Sequence, residues 1–122
     1  MTIRQAMDRA DGLRPNTVPE AEKRLWLAQL DGAVRRQIQG KHEQTDPEQT
    51  GADQSQADDT ELLVAEPYAD VYLYWLMAQV DLALGELTRY NNDMMLYNMA
   101  LTEYAVDYKQ THVPLLRGQF AL

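Results

Sequence analysis

The chain contains no cysteine, one serine, one phenylalanine and two histidines among its 122 residues. Without cysteine there is no disulfide framework, no thiolate metal site and no thiol nucleophile. The lone serine, Ser55, stands in an acidic stretch with no base near it in sequence, so nucleophilic serine chemistry is not expected. Neither His42 nor His112 belongs to a Glu-x-x-His or His-Glu-x-x-His arrangement, which removes the four-helix di-metal pattern and leaves both as expected surface residues. Glycine-rich phosphate loops are also missing. Asp46, Asp53, Asp58 and Asp59 lack the spacing and the glycine of a calcium loop. The expectation is a non-enzymatic protein without cofactor or metal. An enzyme reading would need a pocket holding carboxylates of perturbed protonation, such as Glu86, Asp93 and Glu103.

Long apolar runs are missing too, and no basic-then-apolar leader opens the chain. A soluble protein of the cytoplasm, with no membrane partner, is therefore expected. Positive charge is scarce: the net charge is −8, distributed as +2 over residues 1–40, −7 over 41–66 and −3 over 67–122. Gripping phosphates takes clustered Lys and Arg. Only Arg35, Arg36 and Lys41 come close, and cations there equally suit a helix C-terminus. Sequence-specific nucleic-acid binding is not expected.

What the chain does have is tyrosine. All seven tyrosines, one of two tryptophans and four of six methionines fall within residues 67–112. An apolar series runs Tyr72, Leu76, Val80, Ala83, Leu87, Tyr90, Met94, Tyr97, Leu101, Tyr104, Tyr108, with helical steps of three and four after Val80. Two readings compete at Tyr90-Asn91-Asn92-Asp93. The Asn/Asp run favours a break between two helices, whereas the unbroken register favours one long helix. The break is preferred, giving helices over about 67–89 and 92–112, with Pro67 at a first helical position. Gly85 is read as a slight weakening of the first of these.

Upstream, Thr2 and Gln5 form a capping-box pattern that opens a helix over about 2–11, with Gly12 as its stop. A second box is read at Thr17 to Glu20. It opens a helix over 19–39 whose apolar face runs Trp26/Leu27, Leu30, Ala33/Val34, Ile38. Residues 41–60 offer no aliphatic larger than alanine, so 41–66 reads as a flexible acidic loop. Within it, Leu62, Leu63 and Val64 form an apolar run suited to docking. The tail at 113–122 carries Leu115, Leu116 and Phe120. The fold class expected is all-α: one domain, a small bundle of about four helices with a long acidic loop between the second and third.

The runs ThrGluLeuLeuVal-x-x-ProTyr (60–68), TyrTrpLeuMetAlaGln (74–79), GlyGlu (85–86), ArgTyrAsnAsn (89–92) and ThrHis-x-Pro (111–114) resemble a family of small prophage proteins. The opening ThrIleArg (2–4) and TrpLeu-x-x-LeuAspGly (26–32) agree with it. These proteins are similar to the head–tail connector, or head-completion adaptor, proteins of tailed phages. The resemblance implies an α-helical subunit forming a homo-oligomeric ring beneath the portal and extending the DNA channel, with portal and tail-completion proteins as partners. Its location would be the host cytoplasm during assembly and then the virion. It also implies intersubunit contacts from the loop after the second helix and from the C-terminal tail. An acidic loop suits a channel wall along which DNA slides. Tyr and Trp favour protein interfaces, and Tyr68, Tyr74 and Tyr90 are the tyrosines expected to face outward. With Leu62, Leu63, Val64, Leu115, Leu116 and Phe120 they make the expected contact set. A second reading is a small phage-encoded interaction or regulatory module that binds one protein through its tyrosine face.

Overall fold

The computed structural model describes residues 1–41 and 57–112. It is an all-α bundle of four helices: α1 (Ile3–Leu13), α2 (Glu20–Gln37), α3 (Asp70–Ala83) and α4 (Leu87–Thr111). A short 3-10 turn, Gln39–Lys41, follows α2.

The opening box forms as its spacing predicts. Thr2 Oγ1 accepts from the Gln5 N–H at 3.1 Å, and Gln5 Oε1 accepts from the Thr2 N–H at 2.9 Å. Gly12 does not stop α1, which continues to Leu13 because nothing forces that glycine out of helical geometry. The Thr17–Glu20 box does not form either. Pro19 is the cap residue, and Asn16 Oδ1 takes the Val18 N–H at 2.9 Å instead. The same Asn16 donates to Asp11, which also accepts from the buried Lys23 Nζ at 2.7 Å. These bonds pin the α1–α2 connector against α2.

The helical hairpin α3–α4 is the largest packing unit. Trp75 meets Tyr97 at 5.0 Å between ring centroids, and Tyr68 meets Tyr104 edge-on at 5.9 Å. Each pair is nearly equidistant in sequence from Gly85, so the two helices run antiparallel. The two-helix reading of this stretch therefore holds, but the corner lies at Leu84–Glu86 and not at Asn91–Asp93. Gly85 sits at φ +76°, a conformation costly for any residue with a Cβ. The Asn/Asp run is interior to α4, where the register set by the tyrosines outweighs its capping preference. Pro67 does not open α3; its peptide bond with Glu66 is cis, and the helix starts at Asp70.

Residues 57–66 are not free loop. Ile3 N–H donates to Thr60 O, Leu62 N–H to Met1 O, and Thr2 and Glu61 form an antiparallel bridge. Asp58 binds both Arg4 and Arg24, and the N-terminal ammonium meets Glu61 at 3.1 Å. Two of the carboxylates expected on an open acidic loop thus neutralise cations of the chain itself. Residues 42–56 and 113–122 lie outside the described residues, and with them Leu115, Leu116 and Phe120.

The core is one cluster built from all four helices and residues 62–64. Ile3, Ala6, Met7 and Ala10 of α1 and Leu27, Leu30 and Val34 of α2 face α3. Trp75 Nε1 donates to the Trp26 carbonyl at 2.8 Å, tying α3 to α2. Gln39 donates to the Tyr104 hydroxyl at 3.1 Å, tying the 3-10 turn to α4.

Candidate interaction surface

Four of the seven tyrosines are core residues, and the three expected to face outward, Tyr68, Tyr74 and Tyr90, are the three that are not buried. Tyr72 is fully buried, and Tyr97, Tyr104 and Tyr108 are nearly so. The Tyr72 hydroxyl donates to Asp31 Oδ1 at 2.5 Å and accepts from the Val64 N–H at 2.7 Å. Asp31 Oδ2 accepts from the Leu63 N–H at 3.1 Å. Burial, then the Asp31 charge, raise the Tyr72 hydroxyl well above its ordinary pKa, so it stays a donor. Leu62, Leu63 and Val64 are therefore core residues of this chain, held by Asp31 and Tyr72. They dock onto their own α2 and α3, which corrects the expectation that they face a neighbour.

Tyr68 and Tyr74 are half-buried against the core, and Tyr90 is half-buried near the hairpin corner. Tyr68 borders a shallow groove of about 360 Å³ with Thr102, Glu103, Val106, Asp107 and Gln110. His112 stacks on Tyr108 with ring centroids 3.7 Å apart. Of the residues expected at an interface, the structure leaves three tyrosines partly available.

The surface that sequence reasoning missed is the outer face of α4. Met95, Met99 and Val106 are 56%, 56% and 50% exposed, and Leu96 beside them is exposed too. At about 100° per residue, these three share one stripe, roughly 180° from the stripe of Tyr97, Tyr104 and Tyr108. Packing on α3 uses the tyrosine stripe, and the methionine stripe has no cover among the described residues. Leu82, Leu84 and Leu87 add exposed apolar groups at the corner. The signal was present in the sequence as a second series, 95–99–106, out of phase with the tyrosines. The larger rings of the first series concealed it.

A second polar cluster was also missed in part. Asp81 of α3 is fully buried and Asp93 of α4 is 3% exposed. Arg14, at the end of α1, reaches both: Nε lies 3.3 Å from Asp81 and Nη2 3.3 Å from Asp93. One guanidinium faces two carboxyls. Burial first, then Asp81, push Asp93 up to about 7, against the pull of Arg14 and Arg89. A proton held by Asp93 supplies a donor that the Asp81 oxygens otherwise lack among the described residues. Glu86 and Glu103, the other acids of the enzyme reading, are exposed. Its position beneath Arg14 makes the Asp81–Asp93 pair a structural joint of α1, α3 and α4.

Among the described residues no cluster of three or more His, Asp or Glu could hold a metal ion, and no helix is long and apolar enough to cross a membrane. No protein-family model matches the chain significantly, and neither does any curated protein or solved structure.

Proposed function

We propose that this chain is a structural assembly protein that acts by presenting a helical surface to other subunits, with no catalysis. The observation that carries the reading is the outer face of α4. A helix already backed along its inner side by a full aromatic core exposes a second apolar stripe, and contiguous exposed apolar surface marks contact sites. The role we assign is the one implied by the resemblance: a head–tail connector subunit that joins a homo-oligomeric ring under the portal and contacts tail-completion proteins. A closed ring needs two different complementary faces on each subunit. The α4 stripe offers one, and the groove beside Tyr68 borders it.

The test is electron microscopy of particles assembled with and without the gene. Heads without tails in its absence support the adaptor role, and normal infectious virions overturn it. Met99→Arg should leave helicity and Tm unchanged while abolishing particle joining. Normal joining by that variant removes the α4 stripe from the mechanism.

The groove at Tyr68 favours a second reading, an interaction module for a single protein partner. Such a module would form a one-to-one complex in solution and leave particle morphology untouched.

A further inference from the structure

The outer face of α4 is not merely apolar; its charges are arranged with two-fold self-complementarity. In heptad terms Asn92, Met99 and Val106 occupy one seam position, and Thr88, Met95 and Thr102 the other. Arg89, Leu96 and Glu103 flank that seam at intervals of seven, all three exposed. Two copies of α4 laid antiparallel, with Met99 of one beside Met95 of the other, close every layer. Asn92 meets Thr102, and Val106 meets Thr88. In the same register Leu96 faces its own copy at the axis, and Arg89 faces Glu103 on both sides.

Shifting the pairing by one heptad sets Leu96 against Glu103 or against Arg89. A parallel pairing brings Asn98, not Arg89, opposite Glu103. Of these arrangements only the first sets Leu96 against Leu96 and cation against anion, and such charge matching fixes partner and orientation in helix pairs. We propose that the occupant of this face in the free protein is a second copy of the chain, paired antiparallel through α4 about Leu96. The proposal rests on reading the outer face of α4 as a contact surface. A two-fold pair closes at two copies. The free subunit would thus hide its stripe, and ring formation would have to exchange this contact for a head-to-tail one.

The test uses the whole chain in sedimentation over a dilution series, with circular dichroism to confirm folding. The wild type should be a dimer that dissociates on dilution. Arg89→Glu and Glu103→Arg should each weaken dimerisation by roughly tenfold or more, since each turns two attractive pairs into repulsive ones. Glu103→Arg is the cleaner variant, because Arg89 also lies near Asp93. Mixing the two variants should restore the dimer, as should combining both changes in one chain, because every pair is then opposite in sign again. The chain has no cysteine, so Leu96→Cys provides a single thiol that a short bifunctional maleimide should cross-link between copies. A wild-type monomer at all concentrations overturns the proposal. So does a dimer indifferent to both charge reversals, which would pair through another face. Particle joining, scored separately, reports on the assembly role and survives either result.

Discussion

Two places in the core bury carboxylates, and they are handled in opposite ways. At Asp31 a single carboxyl meets directed donors, the Tyr72 hydroxyl and the Leu63 N–H. At Asp81 and Asp93 two carboxyls face one guanidinium at 3.3 Å, and among the described residues neither Asp81 oxygen has an aligned donor. The first arrangement fixes geometry: it holds residues 62–64 in the core, although they follow a stretch with little to bury. The second leaves a surplus negative charge, which a proton on Asp93 removes below about pH 7. A buried acid is stable when neutralised or fully hydrogen-bonded. This chain uses hydrogen bonds at one end of the bundle and protonation at the other.

The largest expected effect tests the first site. Asp31→Ala strands the Tyr72 hydroxyl and the Leu63 N–H in a buried setting and frees the 62–64 segment, at a cost of about 4 kcal/mol. Urea unfolding checks this. A loss below about 1 kcal/mol would mean that apolar packing alone holds the segment. Next comes Arg14→Met, which among the described residues leaves the two acids with only the influence of Arg89. A loss of about 3 kcal/mol at pH 8 is expected, shrinking at pH 5, where Asp93 carries its proton.

The pH dependence follows from the same site. Asp93 binds its proton more tightly folded than unfolded, so its contribution is fully present below about pH 4. It is lost as pH rises to about 7 and is constant above. One group gives a slope of at most about 1.4 kcal/mol per pH unit in that window, and the Arg14 charge reduces it. The facing groups are Arg14 from the end of α1, Asp81 from α3 and Arg89 from α4 itself. Chemical denaturation between pH 5 and 8 should show stability falling by about 2 kcal/mol. A rise over that interval would mean that Asp93 is ionised throughout.

Much of the fold was legible from periodicity. The Thr2–Gln5 box, the α2 face from Leu27 to Ile38 and the four-helix class all follow from local pattern, and each is a local property. The displaced corner was not legible, because Gly85 and the Asn91–Asp93 run are both acceptable stops, and only packing against α3 chooses between them. The buried acids left a trace. Asp31 lies on the Leu27–Leu30–Val34 stripe, where a solvent-facing residue does not belong. Its partners are 32 and 41 residues away, so the trace could flag a buried acid but not name the donors. The tyrosines were legible as a helical series, and the three expected to face outward are the three left half-buried, but the more exposed methionine stripe was missed. Four of the seven rings fill the core and two more, Tyr68 and Tyr74, pack against it, so the outward apolar groups in the middle of α4 are Met95, Leu96, Met99 and Val106.

The finest discrimination between the two sites comes from one conservative change made in each. Asp31→Asn keeps the shape but exchanges one acceptor oxygen for an NH₂ group, which either meets the Leu63 N–H head-on or faces the Tyr72 hydroxyl and deprives its proton of an acceptor. A destabilisation of about 2 kcal/mol is expected at every pH. Asp93→Asn removes the surplus acid and leaves Asp81 paired one-to-one with Arg14, while the amide donates permanently where the proton did so only below pH 7. The expected result is a gain of about 1 kcal/mol at pH 8, little change at pH 5 and a flattened pH profile. Opposite signs for the same chemical substitution would establish that hydrogen bonding governs one site and protonation the other. If both lose stability alike at pH 8, Asp93 is held as a carboxylate, and Arg14 then suffices for two.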